Sequence, residues 1–297
     1  MIELQGSMVA LVTPMQANGE VDFESLTRLL EFHIASGTHA IVSVGTTGES
    51  ATLAVDEHLK VIQHSVDVVN QRIPVVAGTG ANSTSEAVYL TKQASEAGAD
   101  AALVVVPYYN KPNQEGLYQH FKAIAEAVSI PQVLYNVPGR TVADLSNETI
   151  ARLARIDNIV ACKDATGDLQ RGKELLDLCG DKLSILSGDD PTALDYMRLG
   201  ARGDISVTAN VAPVLMSQMC NAALAGDFDA AQAIDLKLSG LHNHLFVESN
   251  PIPVKYAVSK MGYTANVLRL PLVAVNEQYQ SEIEQAMEQA GVPYDTN

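Results

Sequence analysis

A chain of 297 residues with 47% hydrophobic and 18% charged residues has a globular composition, which excludes intrinsic disorder. Nineteen basic against thirty-five acidic residues give a net charge of -16 and no basic stripe for nucleic acid, so any anionic ligand needs locally placed cations. Cys162, Cys179 and Cys220 fit neither a disulfide framework nor a paired-cysteine metal site; with no basic leader and no apolar run near ~18 residues, the expectation is a cytoplasmic chain without a membrane span.

Short apolar, β-branched runs predict strands starting near Val9, Ala40, Pro74, Ala101, Pro131, Ile159, Leu183 and Asp204, spaced 21 to 34 residues apart. They are apolar throughout rather than alternating, as parallel strands covered on both faces should be. Each gap fits one helix and two loops. Asp56 and Asn147 precede helical runs, Ser83 and Glu86 form an S-x-x-E capping box, and Pro191 opens a helix. Gly37, Gly98, Gly180 and Gly200 stop helices. Beyond Val207 the pattern is helical over 213–226, 228–246, 253–260 and 277–290. Eight βα units predict an α/β fold, a (β/α)8 TIM barrel over residues 1–226, with a C-terminal helical extension over 227–297 packed on it. A doubly wound open sheet is the alternative, but the first strand is followed by TPMQANG and no GxGxxG.

In a barrel the chemistry sits at the C-terminal strand ends. The segments there are polar and glycine-rich: GTTGES (45–50), GTGANS (78–83), PYYNK (107–111), YNVPGRT (135–141), KDATG (163–167), SGDD (187–190) and SVTAN (206–210). Lys163 ends the apolar run IVACK, which would deliver its amine into the barrel mouth. A neutral amine there can attack a carbonyl and form a Schiff base; the bland alternative is a strand-end lysine snorkelling to solvent. Tyr135 ends the preceding strand, so its phenol can relay protons to a lysine adduct, or be a half-buried tyrosine with a satisfied hydroxyl. Thr46 and Thr47 offer hydroxyls between glycines, or only a turn. Arg140 is a planar fork for a carboxylate, or a surface ion pair. Histidines do not gather, so no metal site is read, and no Walker pattern marks a nucleotide loop. Asp189 and Asp190 read as a loop turn.

GTTGES, YNVPGRT, KDATG and SVTAN resemble the dihydrodipicolinate synthase (4-hydroxy-tetrahydrodipicolinate synthase) family of pyruvate-dependent class I aldolases, from VALVTP at 9–14 to LRLP at 268–271. The resemblance implies condensation of pyruvate with L-aspartate 4-semialdehyde, the first committed step of diaminopimelate and lysine biosynthesis, without metal or organic cofactor. Lys163 would carry the Schiff base, and Tyr135, Thr46 and Tyr109 the proton relay, with Tyr109 reaching a neighbouring subunit of a dimer or dimer of dimers. Thr47 and the backbones at Gly188 and Ile205 would contact pyruvate, and Arg140 the semialdehyde carboxylate. An allosteric L-lysine site would use Ser50, Ala51, His58, Asn82, Glu86 and Tyr108. Lysine-sensitive relatives frequently carry a histidine where this chain has Val55. A sugar-acid lyase such as N-acetylneuraminate lyase is the runner-up; a non-catalytic ligand-binding barrel is the alternative of another class.

Overall fold

The computed structural model describes residues 2–295. Eight parallel strands close into one barrel in sequence order: β1 (Gly6–Ala10), β2 (Ala40–Ser43), β3 (Val75–Gly78), β4 (Ala101–Val105), β5 (Gln132–Asn136), β6 (Ile159–Asp164), β7 (Ser184–Ser187) and β8 (Gly203–Ser206). The helices that follow these strands are α1 (Phe23–Ala35), α2 (Val55–Val69), α3 (Thr84–Glu96), α4 (Gln114–Ala127), the single turn α5 (Pro138–Thr141), α6 (Asn147–Leu153), α7 (Leu169–Cys179), α8 (Ala193–Leu199) and α9 (Pro213–Leu224). Three further helices, α10 (Phe228–His244), α11 (Ile252–Lys260) and α12 (Glu277–Gln289), form the C-terminal extension. The TIM barrel expected from the sequence is thus the fold. Among the described residues no helix is long and apolar enough to cross a membrane.

Strand alternation sorts the apolar residues into two layers. Met8, Val42, Val76, Leu103, Val133, Ala161, Leu186 and Ile205 fill the barrel interior. Their neighbours Val9, Ile41, Val75, Ala102, Leu134, Cys162 and Ile185 pack outward under the helices. Both faces of each strand are therefore buried, which is why the strands read as unbroken apolar runs.

Several local expectations need correction. The first strand starts at Gly6 rather than near Val9, and it ends at Ala10 although the apolar run continues to Val12. Asn210 explains this: its Oδ1 accepts from Val12 N at 3.0 Å and its Nδ2 donates to Ala10 O at 2.8 Å, drawing the chain out of the sheet. Asp56 lies in the first turn of α2, not before it, and Ser146 rather than Asn147 caps α6. Pro191 lies in a single 3-10 turn, and α8 follows it. The capping box does not form. Ser83 occupies the N-cap position of α3 without capping it; its hydroxyl pairs with Ser85 at 3.0 Å, and Glu86 turns to a cavity wall.

Side-chain anchors hold the loops above the strands. Asn136 donates to Asp144 at 2.8 Å and accepts from Leu145 N, bracing the loop that carries Arg140. Asp190 accepts from the Ser206 hydroxyl, from Val207 N at 2.9 Å and from Thr208 N at 3.1 Å, tying the loops after β7 and β8 together. It is a buried fastener rather than the plain loop turn the sequence suggested.

Asp204 stands beside Asp190, fully buried, with neither carboxyl oxygen otherwise partnered. Burial first, and the charge of Asp190 second, raise its pKa well above the usual carboxylate range, so it is carried as the neutral acid. A folded-state pKa above the unfolded one gives a contribution that is complete below about pH 4 and lost as pH rises. Asp204→Asn keeps a donor for Asp190 and needs no proton. Its stability relative to the wild type should therefore grow from pH 4 towards pH 8, by up to about 1.4 kcal/mol per unit, as read from urea midpoints across that range. A gap that stays constant or narrows with pH would count against a neutral Asp204.

Candidate active site

Lys163 and Tyr135 are the next-to-last residues of adjacent strands and face one another in register across β5 and β6. Both are nearly fully buried, Lys163 at 5% exposure, and the lysine Nζ sits 4.4 Å from the centroid of the Tyr135 ring. The sequence expectation that an apolar strand would deliver this amine into the barrel mouth is met in geometry. The cavity around it measures about 170 Å³, and its lining includes Thr46, Thr47, Tyr135, Arg140, Lys163 and Gly188. An amine, a phenol, two hydroxyls and a guanidinium therefore converge on one small space. This set can form a carbinolamine and imine with a carbonyl, move protons and hold a carboxylate. The Arg140 guanidinium answers the charge problem: a molecule of net charge -16 offers a carboxylate a local cation here.

The loop 45–50 is held from below and from the side. Gly48 O accepts from Thr13 Oγ1 at 2.7 Å. Glu49 adopts a left-handed backbone (φ 59°) and buries its carboxylate against Lys255 of α11, while Arg269 N donates to its other oxygen at 3.0 Å. Arg140 sits on the α5 turn, and its Nη2 donates to Asn250 O at 3.1 Å.

Three expected residues bring no side chain to the cavity walls. Tyr109 is 89% exposed on a left-handed loop residue (φ 76°) and is absent from the cavity wall. Ile205 belongs to the interior layer of β8, and Val207 lines the cavity in that sector. Asn82 offers its carbonyl to Asn110 Nδ2 at 2.9 Å rather than a side chain to a cavity. Phe246, Asn250 and Asp189 line the cavity but were not anticipated from the sequence as site residues. For Phe246 and Asn250 no sequence signal exists, because they reach the barrel mouth from the extension.

A second cavity, of about 370 Å³, adjoins the first and shares Thr46, Val137 and Arg140 with it. It gathers Ser50, Ala51, His58, Glu86 and Tyr108, with Val55 on its wall. Burial lowers the pKa of His58, whose Nε2 pairs with Gly78 O at 2.8 Å, so the ring is neutral. Burial and then the Glu86 charge raise the pKa of Tyr108, which keeps its phenol proton. A larger cavity of about 500 Å³, lined by Phe32, Val214, Tyr263 and Tyr294, contains none of the residues just named; the reactive groups decide in favour of the smaller spaces. Among the described residues no cluster of three His, Cys, Asp or Glu could hold a metal ion.

Comparison with known proteins gives consistent findings. Residues 3–290 match the model of the Dihydrodipicolinate synthetase family. A 4-hydroxy-tetrahydrodipicolinate synthase of Stutzerimonas stutzeri (strain A1501) is 60% identical over 289 residues, 97% of this chain and 99% of that one. The chloride-inhibited dihydrodipicolinate synthase of Acinetobacter baumannii, solved with pyruvate, has a TM-score of 0.97 at 57% identity, covering 98% of this chain and 100% of that one. The enzyme of Cyanidioschyzon merolae, solved with lysine bound, has a TM-score of 0.94 at 37% identity, covering 97% of this chain and 99% of that one.

Gly188 offers a direct test of how the amine is placed. A Cβ built there would lie 2.4 Å from Lys163 Cε and 2.9 Å from Ala165 Cβ. Gly188→Ala must therefore push the lysine stem aside. Displacement of a reacting group by about 1 Å costs on the order of a hundredfold in rate. Turnover of the variant should fall by that order while its thermal midpoint stays close to the wild type; unimpaired turnover would show that Gly188 does not fix the amine.

Proposed function

The chain belongs to the dihydrodipicolinate synthetase family, and we infer that it condenses pyruvate with L-aspartate 4-semialdehyde to 4-hydroxy-tetrahydrodipicolinate. The observation that carries this reading is the Lys163 amine poised over Tyr135 in a cavity rimmed by Thr46, Thr47 and Arg140. Relatives at 60% identity bear the synthase name, which favours it over a sugar-acid lyase and over a non-catalytic barrel.

The amine of Lys163 adds to the pyruvate carbonyl, and the carbinolamine expels water to give an iminium. The iminium withdraws electrons, so a methyl proton leaves and an enamine forms. The enamine carbon bonds to the aldehyde carbon of the semialdehyde, whose oxygen takes a proton. The product's own amine then attacks the imine carbon and displaces Lys163 as the ring closes, so one water is released overall. Tyr135 and Thr46 carry the protons, Thr47 and the backbone near Gly188 and Ile205 hold the pyruvyl end, and Arg140 holds the semialdehyde carboxylate.

Tyr109 serves a second copy. A tyrosine ring held 89% exposed beside Tyr108 suits a contact across an interface, where its phenol completes the neighbour's relay, making a dimer the smallest complete unit and a dimer of dimers a natural assembly. The three buried, free cysteines accord with a cytoplasmic setting. L-Lysine occupies the adjoining cavity as an effector. Glu86 meets its ammonium group, and the neutral His58 and the Tyr108 phenol supply polar partners.

Pyruvate with borohydride should fix a reduced adduct on Lys163, visible by mass spectrometry, and Lys163→Ala should lose both adduct and turnover while remaining folded. A soluble Lys163→Ala enzyme with near-normal turnover would sink the mechanism. For the effector, Glu86→Ala should raise the lysine concentration giving half inhibition by about tenfold or more, the loss of one charge-assisted hydrogen bond. Unchanged inhibition would move the lysine site elsewhere.

A further inference from the structure

Thr47 is 3% exposed, and among the described residues its hydroxyl pairs with Asn250, whose Nδ2 lies 3.0 Å from Thr47 Oγ1. An amide nitrogen donates and does not accept, so the threonine oxygen is the acceptor in this pair. The threonine's own proton is taken by no described residue. This hydroxyl stands in the wall of the cavity that holds Lys163, and Asn250 stands beside it in the same wall. Asn250, 6% exposed, comes from the segment between α10 and α11, and its carbonyl oxygen accepts from Arg140 Nη2.

We propose that Asn250 sets the polarity of the Thr47 hydroxyl, filling its oxygen so that its proton points into the cavity and donates to the pyruvate carboxylate. Asn250 is on this view a positioning residue acting through Thr47, and the inference rests on the pyruvate reading of the site. The physical basis is the two-sided nature of a hydroxyl. A threonine with a free choice of partner can spend its proton on any nearby acceptor. One whose oxygen already receives an N–H keeps that proton for an anion, and a bond to a charged acceptor is about twice as strong as a neutral one. The same residue touches Arg140 through its backbone, so its side chain bears on the pyruvyl end and its main chain on the semialdehyde end.

The inference inverts the usual ranking of substitutions. Asn250→Asp is isosteric but only accepts when ionised, so Thr47 would turn its proton toward the aspartate and away from pyruvate. Asn250→Ala removes more atoms yet leaves that proton free. The affinity for pyruvate is read without the second substrate, from the pyruvate concentration that half-saturates borohydride trapping on Lys163. Asn250→Asp should raise that concentration roughly ten- to hundredfold, and Asn250→Ala by less. In a Thr47→Val background, Asn250→Asp should add little, because the hydroxyl it acts through is gone. Thermal midpoints establish that each variant is folded. A larger loss in Asn250→Ala than in Asn250→Asp would make the role structural and overturn the proposal. A full additional loss in the Thr47→Val background would assign the effect to charge repulsion and overturn it too, as would a normal value in Asn250→Asp. A wild type that traps no pyruvate would overturn the pyruvate reading itself, an outcome distinct from the other three.

Discussion

The buried ion pair between Glu49 and Lys255 organises the mouth of this barrel. Lys255 has no solvent exposure, and Glu49 is nearly as enclosed. Charges taken out of water on this scale need mutual contact and further hydrogen bonds to hold. Glu49 has both: Lys255 on one oxygen and the Arg269 backbone on the other. Burial lowers the pKa of Lys255, and the neighbouring Glu49 opposes that shift, so the pair is sustained by its own geometry. Arg269 in turn clamps Glu57 through two bonds of 2.5 Å and reaches the carbonyls of Gly19 and Thr52. The LRLP segment and α11 thereby brace the loop 45–50 and the turn that follows it.

Seen from the loop 45–50, the extension grips at two residues, Asn250 on Thr47 and both Lys255 and the Arg269 backbone on Glu49. The loop needs this grip because its backbone is not relaxed. Val44 and Glu49 adopt positive φ, as do Tyr109, Lys111 and Val142 in other loops after the strands. Such positions cost of order 1–3 kcal/mol each and persist only where surrounding contacts impose them. A branched residue such as Val44 has no local reason to be left-handed. The contacts that hold it fix the hydroxyls two and three residues along.

How much of this the sequence disclosed depended on range. Strands were legible because both faces are buried and each is bounded by polar, glycine-rich loops; the one misplaced strand, β1, lies in an unbroken apolar run whose exit is dictated by Asn210, some two hundred residues away. Lys163, Tyr135, Arg140 and the two threonines were legible because strand ends announce themselves locally. Asn250 and Phe246 were not, since their partners lie across the whole chain and no periodicity marks a residue for a distant cavity. Glu86 shows the converse failure. A sound local rule assigned it to a capping box, but a cavity wall claims its carboxylate, and Ser83 settles for Ser85 instead. Asp204 hid in a strand because a carboxyl kept protonated by burial is, to a pattern of apolar residues, only an interruption.

The two adjoining cavities show why a shared wall can replace a long communication path. Thr46 and Arg140 border both spaces, the one the proposed relay hydroxyl and the other the proposed carboxylate fork. A ligand in the larger space changes the surroundings of both by contact. No intervening chain of packed residues has to switch between two arrangements, which is the feature a distant effector would require. Coupling of this kind is limited by how differently the shared residues serve the empty and the filled space. It would therefore be strongest at Arg140, an exposed side chain that among the described residues pairs with Asn250, and weakest at Lys163, which the interior layer encloses. An effector so placed would act on substrate recognition and the proposed proton relay sooner than on the nucleophile.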